Sequence, residues 1–168
     1  MCRIAGFVDL DYIGDYCLQG TIQKMTDSMY LGGPDNGDIF IDENTNVCFG
    51  HRRLSILDLN ESSNQPFLDE SKRFSIIYNG EIYNFKKIRE ELLLLGHSFR
   101  TSGDTEVVLK SFIEWGHACY EKFRGMWSFA IYDKELKKII ISRDRVGVKP
   151  LFYHYNGKLF IFGSELKA

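Results

Sequence analysis

The sequence predicts an α+β fold in which antiparallel strands and three helices are packed in layers. Strand-like segments follow one another as hairpins, and they do not alternate with helices as in a parallel α/β fold. Several of these strands are apolar without strict alternation, which indicates that both of their faces are covered. The chain has 168 residues, of which 44% are hydrophobic and 26% charged. This size and composition are typical of one globular domain with its own core.

The strand predictions rest on runs of β-branched and aromatic residues bounded by turn residues. Asn156-Gly157 is a strong signal for a two-residue hairpin turn. A second hairpin is predicted around the polar stretch Asp133-Lys134-Glu135. In chain order, the predicted strands cover residues 4–8, 39–41, 47–50, 74–78, 126–132, 138–142, 151–155 and 158–162.

The helix predictions rest on apolar residues that recur every three or four positions. Such residues stand at positions 18, 22, 25 and 29, at 85, 88, 92 and 95, and at 108, 112 and 115. Asn84 is a candidate N-cap for the second helix, and Gly96 is its candidate stop. The third helix is predicted to open at Asp104 and to end before Gly116.

Charge and cysteine spacing argue against several classes of function. The formal net charge of −2 gives no electrostatic reason to expect binding to nucleic acid or to an anionic membrane. No apolar run is long enough to span a membrane and no signal peptide precedes Cys2, so we expect a cytoplasmic location. The four cysteines, at positions 2, 17, 48 and 119, contain no CxxC pair. We therefore expect free thiols and no metal site.

Cys2 directly follows the initiator methionine and precedes the first predicted strand. Because cysteine is small, a methionine aminopeptidase can remove Met1 and expose Cys2 as the mature N-terminus. One interpretation is a small buried apolar residue near a chain end. The other is a nucleophile that carries its own base, since a free α-amine with a pKa of about 7.7–8.0 can accept the thiol proton.

Three polar clusters interrupt the apolar pattern, and each has a structural and a functional interpretation. His51-Arg52-Arg53 follows a predicted strand and is typical of a solvated strand edge. Asn79-Gly80 is typical of a tight turn, or of an open turn that presents the amide of Asn79 and the N–H of Gly80 to an oxyanion. Asp104 is typical of a helix cap.

Together with an N-terminal cysteine, these residues form a complete set for hydrolysing the side-chain amide of a free amino acid. Asn79 and Gly80 can supply oxyanion donors. Arg53 has the planar guanidinium that suits an α-carboxylate. Glu81 and Asp104 are carboxylates for the α-ammonium group. The set favours an amino-acid amide over a peptide or acyl amide, because these charges would be unpaired beside an apolar acyl chain.

The order of these motifs resembles that of one family. Its pattern is carried by Cys2, His51-x-Arg53-Leu54-Ser55-Ile56, Asn79-Gly80-Glu81-Ile82-Tyr83-Asn84, Ser102-Gly103-Asp104-x-Glu106, Phe123-x-Gly125-Met126-x-x-Phe129-Ala130-x-Tyr132-Asp133 and Arg143-Asp144-x-x-Gly147-x-Lys149-Pro150-Leu151. Nearly the whole chain is covered. The sequence resembles the N-terminal glutaminase domain of the glutamine-dependent asparagine synthetases. These belong to the class II glutamine amidotransferases, which are N-terminal-nucleophile hydrolases.

The resemblance implies a four-layer αββα sandwich of two mostly antiparallel sheets. It implies L-glutamine as the substrate and Cys2 as the nucleophile. The implied catalytic residues are Cys2, Asn79 and Gly80, and the implied glutamine-binding residues are Arg53, Leu54, Ser55, Ile56, Leu57, Asn79, Gly80, Glu81 and Asp104.

The resemblance also implies that the released ammonia reaches an ATP-using synthetase domain in the same polypeptide, which makes asparagine from aspartate. The pyrophosphate loop of that domain is absent from residues 1–168. We therefore expect a C-terminally truncated glutaminase domain that needs no cofactor, with ATP and Mg²⁺ used only by the missing domain. A homodimer is left open, and so is a carboxylate acceptor other than aspartate.

Two positions depart from the family pattern. Position 3 is Arg where the family usually has a small residue, and residues 31–35 are Leu-Gly-Gly-Pro-Asp where the family usually has His-Arg-Gly-Pro-Asp. The arginine replaced by Gly32 normally lies near the amine of the nucleophile. An alternative interpretation is therefore a glutamine-binding or scaffolding module that has lost turnover.

Overall fold

The computed structural model describes residues 2–12, 14, 16–55 and 60–168. Within these ranges the strands are β1 Arg3–Asp9, β2 Asn36–Asp42, β3 Val47–Arg53, β4 Phe67–Leu68, β5 Phe74–Ile82, β6 Gly125–Asp133, β7 Lys138–Arg143, β8 Phe152–Tyr155 and β9 Leu159–Gly163. The α-helices are α1 Leu18–Ser28, α2 Phe85–Leu94, α3 Asp104–Trp115 and the short α4 Cys119–Lys122. Short 3-10 helices cover Tyr30–Gly32, Glu61–Ser63 and Gly116–Ala118. None of the described helices is long and apolar enough to cross a membrane.

The strands form two antiparallel sheets. The first sheet has the order β2-β3-β1-β9-β8, and the second has the order β4-β5-β6-β7. Every pairing of neighbouring strands in them is antiparallel. Both predicted hairpins are present, as β6–β7 and β8–β9. The predicted α+β class is confirmed.

Three apolar clusters separate four layers. One cluster packs α1 against the outer face of the first sheet, through residues such as Phe7 and Ile22. A second lies between the two sheets and includes Ile4, Phe49 and Ile77. A third packs α2 and α3 against the outer face of the second sheet. The order helix, sheet, sheet, helix is the predicted αββα sandwich.

The alternation of side chains along each strand directs one set of residues into the space between the sheets. Ile4 of β1, Phe49 of β3 and Ile77 of β5 belong to the inner cluster. Two or four residues away from these positions, on the same inner face, lie Cys2 just before β1, His51 and Arg53 of β3, and Asn79 and Glu81 of β5. The polar residues of the sequence motifs therefore lie at one end of the inter-sheet space.

Strand β5 is longer than predicted, and this corrects the interpretation of Asn79-Gly80 as a turn. Both residues lie inside β5 and pair with Ser128 and Trp127 of β6. Glycine is required at position 80 because a Cβ atom there would lie 2.5 Å from the carbonyl oxygen of Met126. The tight approach of two strands, and not a turn, explains this glycine.

The predicted caps of two helices are also corrected. Asn84 stands at the N-cap position of α2, but its side chain makes no capping hydrogen bond. It instead donates to the carbonyl of Lys122 and accepts from the N–H of Arg124. The N-cap of α3 is Gly103, and Asp104 is the first helical residue. Its carboxylate accepts hydrogen bonds from two residues of β5, Tyr78 and Ile82.

Candidate active site

A pocket opens where the start of β1, the end of β3 and one edge of β5 meet. Of the ten residues predicted to be catalytic or substrate-binding, the pocket is lined by Cys2, Arg53, Leu54, Asn79, Gly80, Glu81 and Asp104. Ser55 is not among the described lining residues, and its N–H donates to Asp35 at 2.7 Å. Ile56 and Leu57 lie outside the described residues.

Cys2 lies at the pocket wall beside the end of β3. This position follows from the register of the first sheet, in which Arg3 pairs with Arg52. The N–H of Leu54 lies 3.4 Å from the Cys2 Sγ, and Sγ lies 3.6 Å from the Leu54 carbonyl oxygen. The thiol is therefore held by backbone groups that directly follow the strand, and it faces the pocket.

Burial raises the pKa of the Cys2 thiol above its ordinary value, although the Leu54 N–H and the charge of Arg53 act in the opposite direction. At neutral pH the thiol consequently holds its proton. A nucleophilic role then needs a base, and the α-amine of a processed N-terminus is the base that lies within the same residue.

Two hydrogen-bond donors on β5 are directed to the pocket. The Nδ2 atom of Asn79 is buried and has no hydrogen-bond partner. The N–H groups of Tyr78 and Ile82 point away from β6, because they donate to Gln65 Oε1 at 2.6 Å and to Asp104 Oδ2 at 2.9 Å. Since N–H direction alternates along a strand, the Gly80 N–H between them points to the same edge. An unpartnered buried amide and a neighbouring backbone N–H can together stabilise an oxyanion.

Arg53 is buried, with 5% of its surface exposed. One nitrogen of its guanidinium donates to the side chain of Asn64 at 2.6 Å and to the carbonyl of Asn60 at 3.1 Å. These contacts hold the guanidinium against the pocket wall. The interpretation of Arg53 as part of a solvated strand edge is therefore wrong.

The carboxylate of Asp104 joins α3 to the free edge of β5. Its Oδ2 accepts hydrogen bonds from the hydroxyl of Tyr78 at 2.7 Å and from the N–H of Ile82 at 2.9 Å. Burial raises the pKa of this carboxyl, against the effect of these two donors. Asp104 thus has a structural role at the strand edge in addition to its place in the pocket wall. Glu81 lines the pocket from the next position along the inner face of β5 after Asn79.

Lys149 is a pocket residue for which the sequence analysis assigned no role. It is 2% exposed, and burial lowers the pKa of its ammonium group. A loop held by Asp144 presents it, because the Asp144 carboxylate accepts the N–H groups of Val148 and Lys149, each at 2.9 Å. The signal available in the sequence was its place in the Arg143–Leu151 motif.

His51 belongs to the same strand end but is not among the described residues that line the pocket. Its ring is fully buried, and its Nε2 lies 3.2 Å from the carbonyl oxygen of Tyr78. Burial lowers its pKa to about 3, so the imidazole is neutral at physiological pH. It connects the two sheets beneath the pocket.

The charges of the pocket wall are balanced. Arg53 and Lys149 supply two cations, and Glu81 and Asp104 supply two carboxyl groups. Such a wall matches a zwitterion, whose carboxylate and ammonium groups each need a partner when they leave water.

Comparisons with known proteins agree with this geometry. Asparagine synthetase [glutamine-hydrolyzing] 3 of Bacillus subtilis is 40% identical over 172 residues, which are 100% of this chain and 27% of that protein. Putative asparagine synthetase [glutamine-hydrolyzing] 2 of Methanocaldococcus jannaschii is 40% identical over 184 residues, covering 100% of this chain and 35% of that protein. The chain thus spans about a third or less of the length of these relatives.

Among solved structures, glutamine phosphoribosylpyrophosphate amidotransferase from B. subtilis matches 98% of this chain and 42% of its own, with a TM-score of 0.78 and 20% identity. This match supports the fold alone. The model of the glutamine amidotransferase domain family matches residues 1–168. The chain therefore belongs to the class II glutamine amidotransferase domain family, and it is related to the N-terminal domains of asparagine synthetases.

Proposed function

We propose that this domain hydrolyses L-glutamine to glutamate and ammonia, with Cys2 as the nucleophile. The observation that carries the proposal is the buried, unpartnered Nδ2 of Asn79 in the wall of the pocket that Cys2 also lines. A buried donor without a partner is costly in a folded protein. An oxyanion that forms on the substrate would satisfy it, and this is the arrangement that lowers the barrier of acyl transfer.

The proposed reaction has two steps. The α-amine of Cys2 accepts the thiol proton while sulfur bonds to the amide carbon, and the carbonyl oxygen becomes an oxyanion beside Asn79 and Gly80. The C–N bond then breaks, and the leaving nitrogen takes the proton from the α-ammonium and departs as ammonia. Water attacks the resulting γ-glutamyl thioester, and glutamate leaves as the thiol is restored.

The charged residues of the pocket wall would recognise the α-carboxylate and the α-ammonium groups of glutamine. Arg53 would bind the α-carboxylate, and Glu81 and Asp104 would face the α-ammonium. Burial raises the pKa of Asp104. A bound α-ammonium group would lower this pKa again, because a nearby positive charge favours the ionised carboxyl.

The ammonia is proposed to serve a synthetase region of a longer polypeptide, as the names of the related asparagine synthetases suggest. ATP and Mg²⁺ would be used there, with aspartate as the acceptor, and the glutaminase step itself needs neither. A cytoplasmic enzyme is consistent with the free thiols of Cys2, Cys17, Cys48 and Cys119. Another carboxylate acceptor remains the alternative, since the pocket is proposed to bind only glutamine, the donor of the ammonia.

The first experiment measures glutamate and ammonia production from glutamine, without ATP, by protein from which Met1 has been removed. We expect turnover that Cys2→Ala abolishes while glutamine binding, measured by calorimetry, persists. A protein that binds glutamine without any turnover or thioester would instead be the binding module. Turnover that survives Cys2→Ala would contradict the proposed nucleophile.

A further inference from the structure

The two departures from the family pattern contact each other in the folded protein. Gly32 ends the 3-10 helix Tyr30–Gly32 and is buried. A Cβ atom at position 32 would lie 2.5 Å from Cγ and 2.8 Å from Nε of Arg3. Any larger residue at position 32 would therefore displace the Arg3 side chain.

The Arg3 side chain is directed to this space by the alternation of β1. Ile4, the next residue of β1, faces the inter-sheet space, so Arg3 faces the α1 side of the sheet. There Arg3 NH1 donates to the carbonyl oxygen of Cys2 at 3.0 Å, and Arg3 Nε donates to Glu165 Oε1 at 2.6 Å. The guanidinium holds the pKa of Glu165 below its usual range.

Glu165 is itself fixed relative to β1. The preceding residue, Ser164, donates its N–H to the carbonyl of Ile4 at 2.8 Å and accepts the Ile4 N–H on its hydroxyl at 3.0 Å. The Arg3 guanidinium thus connects the Cys2 carbonyl to Glu165. Glu165 in turn follows Ser164, which is hydrogen-bonded to Ile4 of β1.

We propose that Arg3 is a positioning residue for the nucleophile, and that Gly32 provides the space that its side chain requires. This inference rests on the proposed function, in which Cys2 is both nucleophile and base. Before β1 begins, the Cys2 backbone has no strand partner of its own. Fixing its carbonyl restricts rotation about the Cα–C bond of Cys2. This sets the directions in which the amine and the Cβ–Sγ arm leave Cα, and so holds both groups toward the pocket and its oxyanion donors.

On this proposal the two departures from the family pattern depend on each other, because the Arg3 side chain needs the space that Gly32 leaves. An arginine at position 32 would occupy the volume in which the Arg3 guanidinium lies. On this proposal the two departures do not imply lost activity, because Arg3 places a guanidinium on the carbonyl of Cys2 from a different point in the chain.

The first test compares Arg3→Ala and Glu165→Gln with Lys167→Ala. Lys167 binds the same carboxylate of Glu165 at 3.0 Å but does not contact Cys2. We expect Arg3→Ala to slow γ-glutamyl thioester formation by about tenfold or more, the lower end for a charge-assisted hydrogen bond. The dissociation constant for glutamine should change by less than about fivefold, or about 1 kcal/mol, because Arg3 is not among the described residues that line the pocket. Glu165→Gln should also slow thioester formation, and Lys167→Ala should leave its rate unchanged.

The second test is a double-mutant cycle. Gly32→Ala should slow thioester formation in the wild type because the new Cβ displaces Arg3. In the Arg3→Ala background the same substitution should have no further effect. The matched control is Gly37→Ala, whose Cβ would meet the guanidinium of Arg52 and not that of Arg3. Equal effects of Gly32→Ala in both backgrounds, or an equal loss in Gly37→Ala, would overturn the proposal.

The outcomes separate this inference from the proposed function. If the wild-type protein forms no thioester, the proposed function fails. The rate at which an electrophilic glutamine analogue, 6-diazo-5-oxo-L-norleucine, alkylates Cys2 then tests Arg3 alone. If the wild type turns over glutamine and Arg3→Ala does so at the same rate, only the positioning role fails. Melting temperatures measured on the same samples exclude simple unfolding as the cause of a loss.

Discussion

At the scale of single residues, the polar side chains of the pocket differ in whether they have hydrogen-bond partners within the protein. Asp104 and Arg53 have hydrogen-bond partners within the protein. Asn79 Nδ2 has none, although it is buried. A buried donor without a partner lowers the stability of the native state. Its removal should therefore affect catalysis without lowering the melting temperature, which separates a functional role from a structural one.

Asn79→Ala should lower kcat by about 10²–10³, the usual cost of removing one oxyanion donor, with little change in glutamine binding. Single-turnover kinetics and a melting curve on the same sample check this. The matched control is Ser75→Ala on the same strand, because Ser75 Oγ is also buried without a partner but lies outside the pocket lining. A fall in melting temperature with a normal rate per folded molecule would make Asn79 structural.

Arg53→Lys should raise KM for glutamine more than it lowers kcat, because a planar fork is replaced by a point charge. The loss should correspond to about 1.5–3 kcal/mol, the range for a hydrogen bond to a charged group. Steady-state kinetics measure both constants. Arg52→Lys serves as the control, since Arg52 binds Asp27 on the other face of the strand. If the KM effect follows Arg52 instead, the carboxylate-binding role moves to that residue.

At the scale of elements, the loop after β7 shows how a carboxylate builds part of the pocket wall. Burial raises the pKa of Asp144, but backbone donors outweigh burial and hold its pKa below the usual range. The donors are the N–H groups of Trp127, Val146, Val148 and Lys149. The resulting turn carries Lys149 into the pocket.

Asp144→Asn should destabilise the protein at neutral pH by about 1–3 kcal/mol, the cost of weakening buried hydrogen bonds to a charged group. A carboxyl with a lowered folded pKa contributes stability above its unfolded pKa, and this contribution is lost as pH falls through the folded pKa. The wild type should therefore lose its advantage over the variant below about pH 4. Urea unfolding across the pH range checks this.

The control for this series is Glu43→Gln, which removes an exposed carboxylate in the turn between β2 and β3. Its unfolding free energy should follow that of the wild type at every pH. A constant difference between Asp144→Asn and the wild type, without convergence in acid, would show that the charge of Asp144 is not what holds the loop.

The elements also show what could be predicted from the sequence. Helix periodicity and the Asn156-Gly157 hairpin signal are local, and the three helices and the β8–β9 hairpin are confirmed. The two-residue turn is not, because Tyr155 pairs with Phe160 and the connection between the paired residues is longer than predicted. The prediction of a turn at Asn79-Gly80 was wrong. Glycine is required at position 80 by the close approach of Met126 on β6, which is distant in the sequence. The place of Lys149 in the pocket wall was not predicted for a related reason. Its burial depends on a loop that Asp144 organises, and membership of the Arg143–Leu151 motif does not reveal that contact.

At the scale of the whole molecule, the packing of two sheets brings distant parts of the chain to one pocket. Cys2 precedes β1 in the first sheet, Arg53 ends β3, and Asn79 lies on β5 in the second sheet. These side chains share the inter-sheet face, whereas Asp104 reaches the pocket from the outer helical layer. The site therefore depends on the sandwich as a unit, and the proposed mechanism also needs an amine that exists at Cys2 only after Met1 is removed.

The central claim is that a processed Cys2 attacks glutamine, and intact-mass spectrometry of a rapidly quenched reaction tests it most directly. We expect protein without Met1 to gain one γ-glutamyl group, which peptide mapping assigns to Cys2 and not to Cys17, Cys48 or Cys119. Protein that retains Met1 should show neither adduct nor turnover, because its Cys2 nitrogen is an amide and cannot accept the proton. Normal turnover with Met1 retained, or an adduct on another cysteine, would contradict the account.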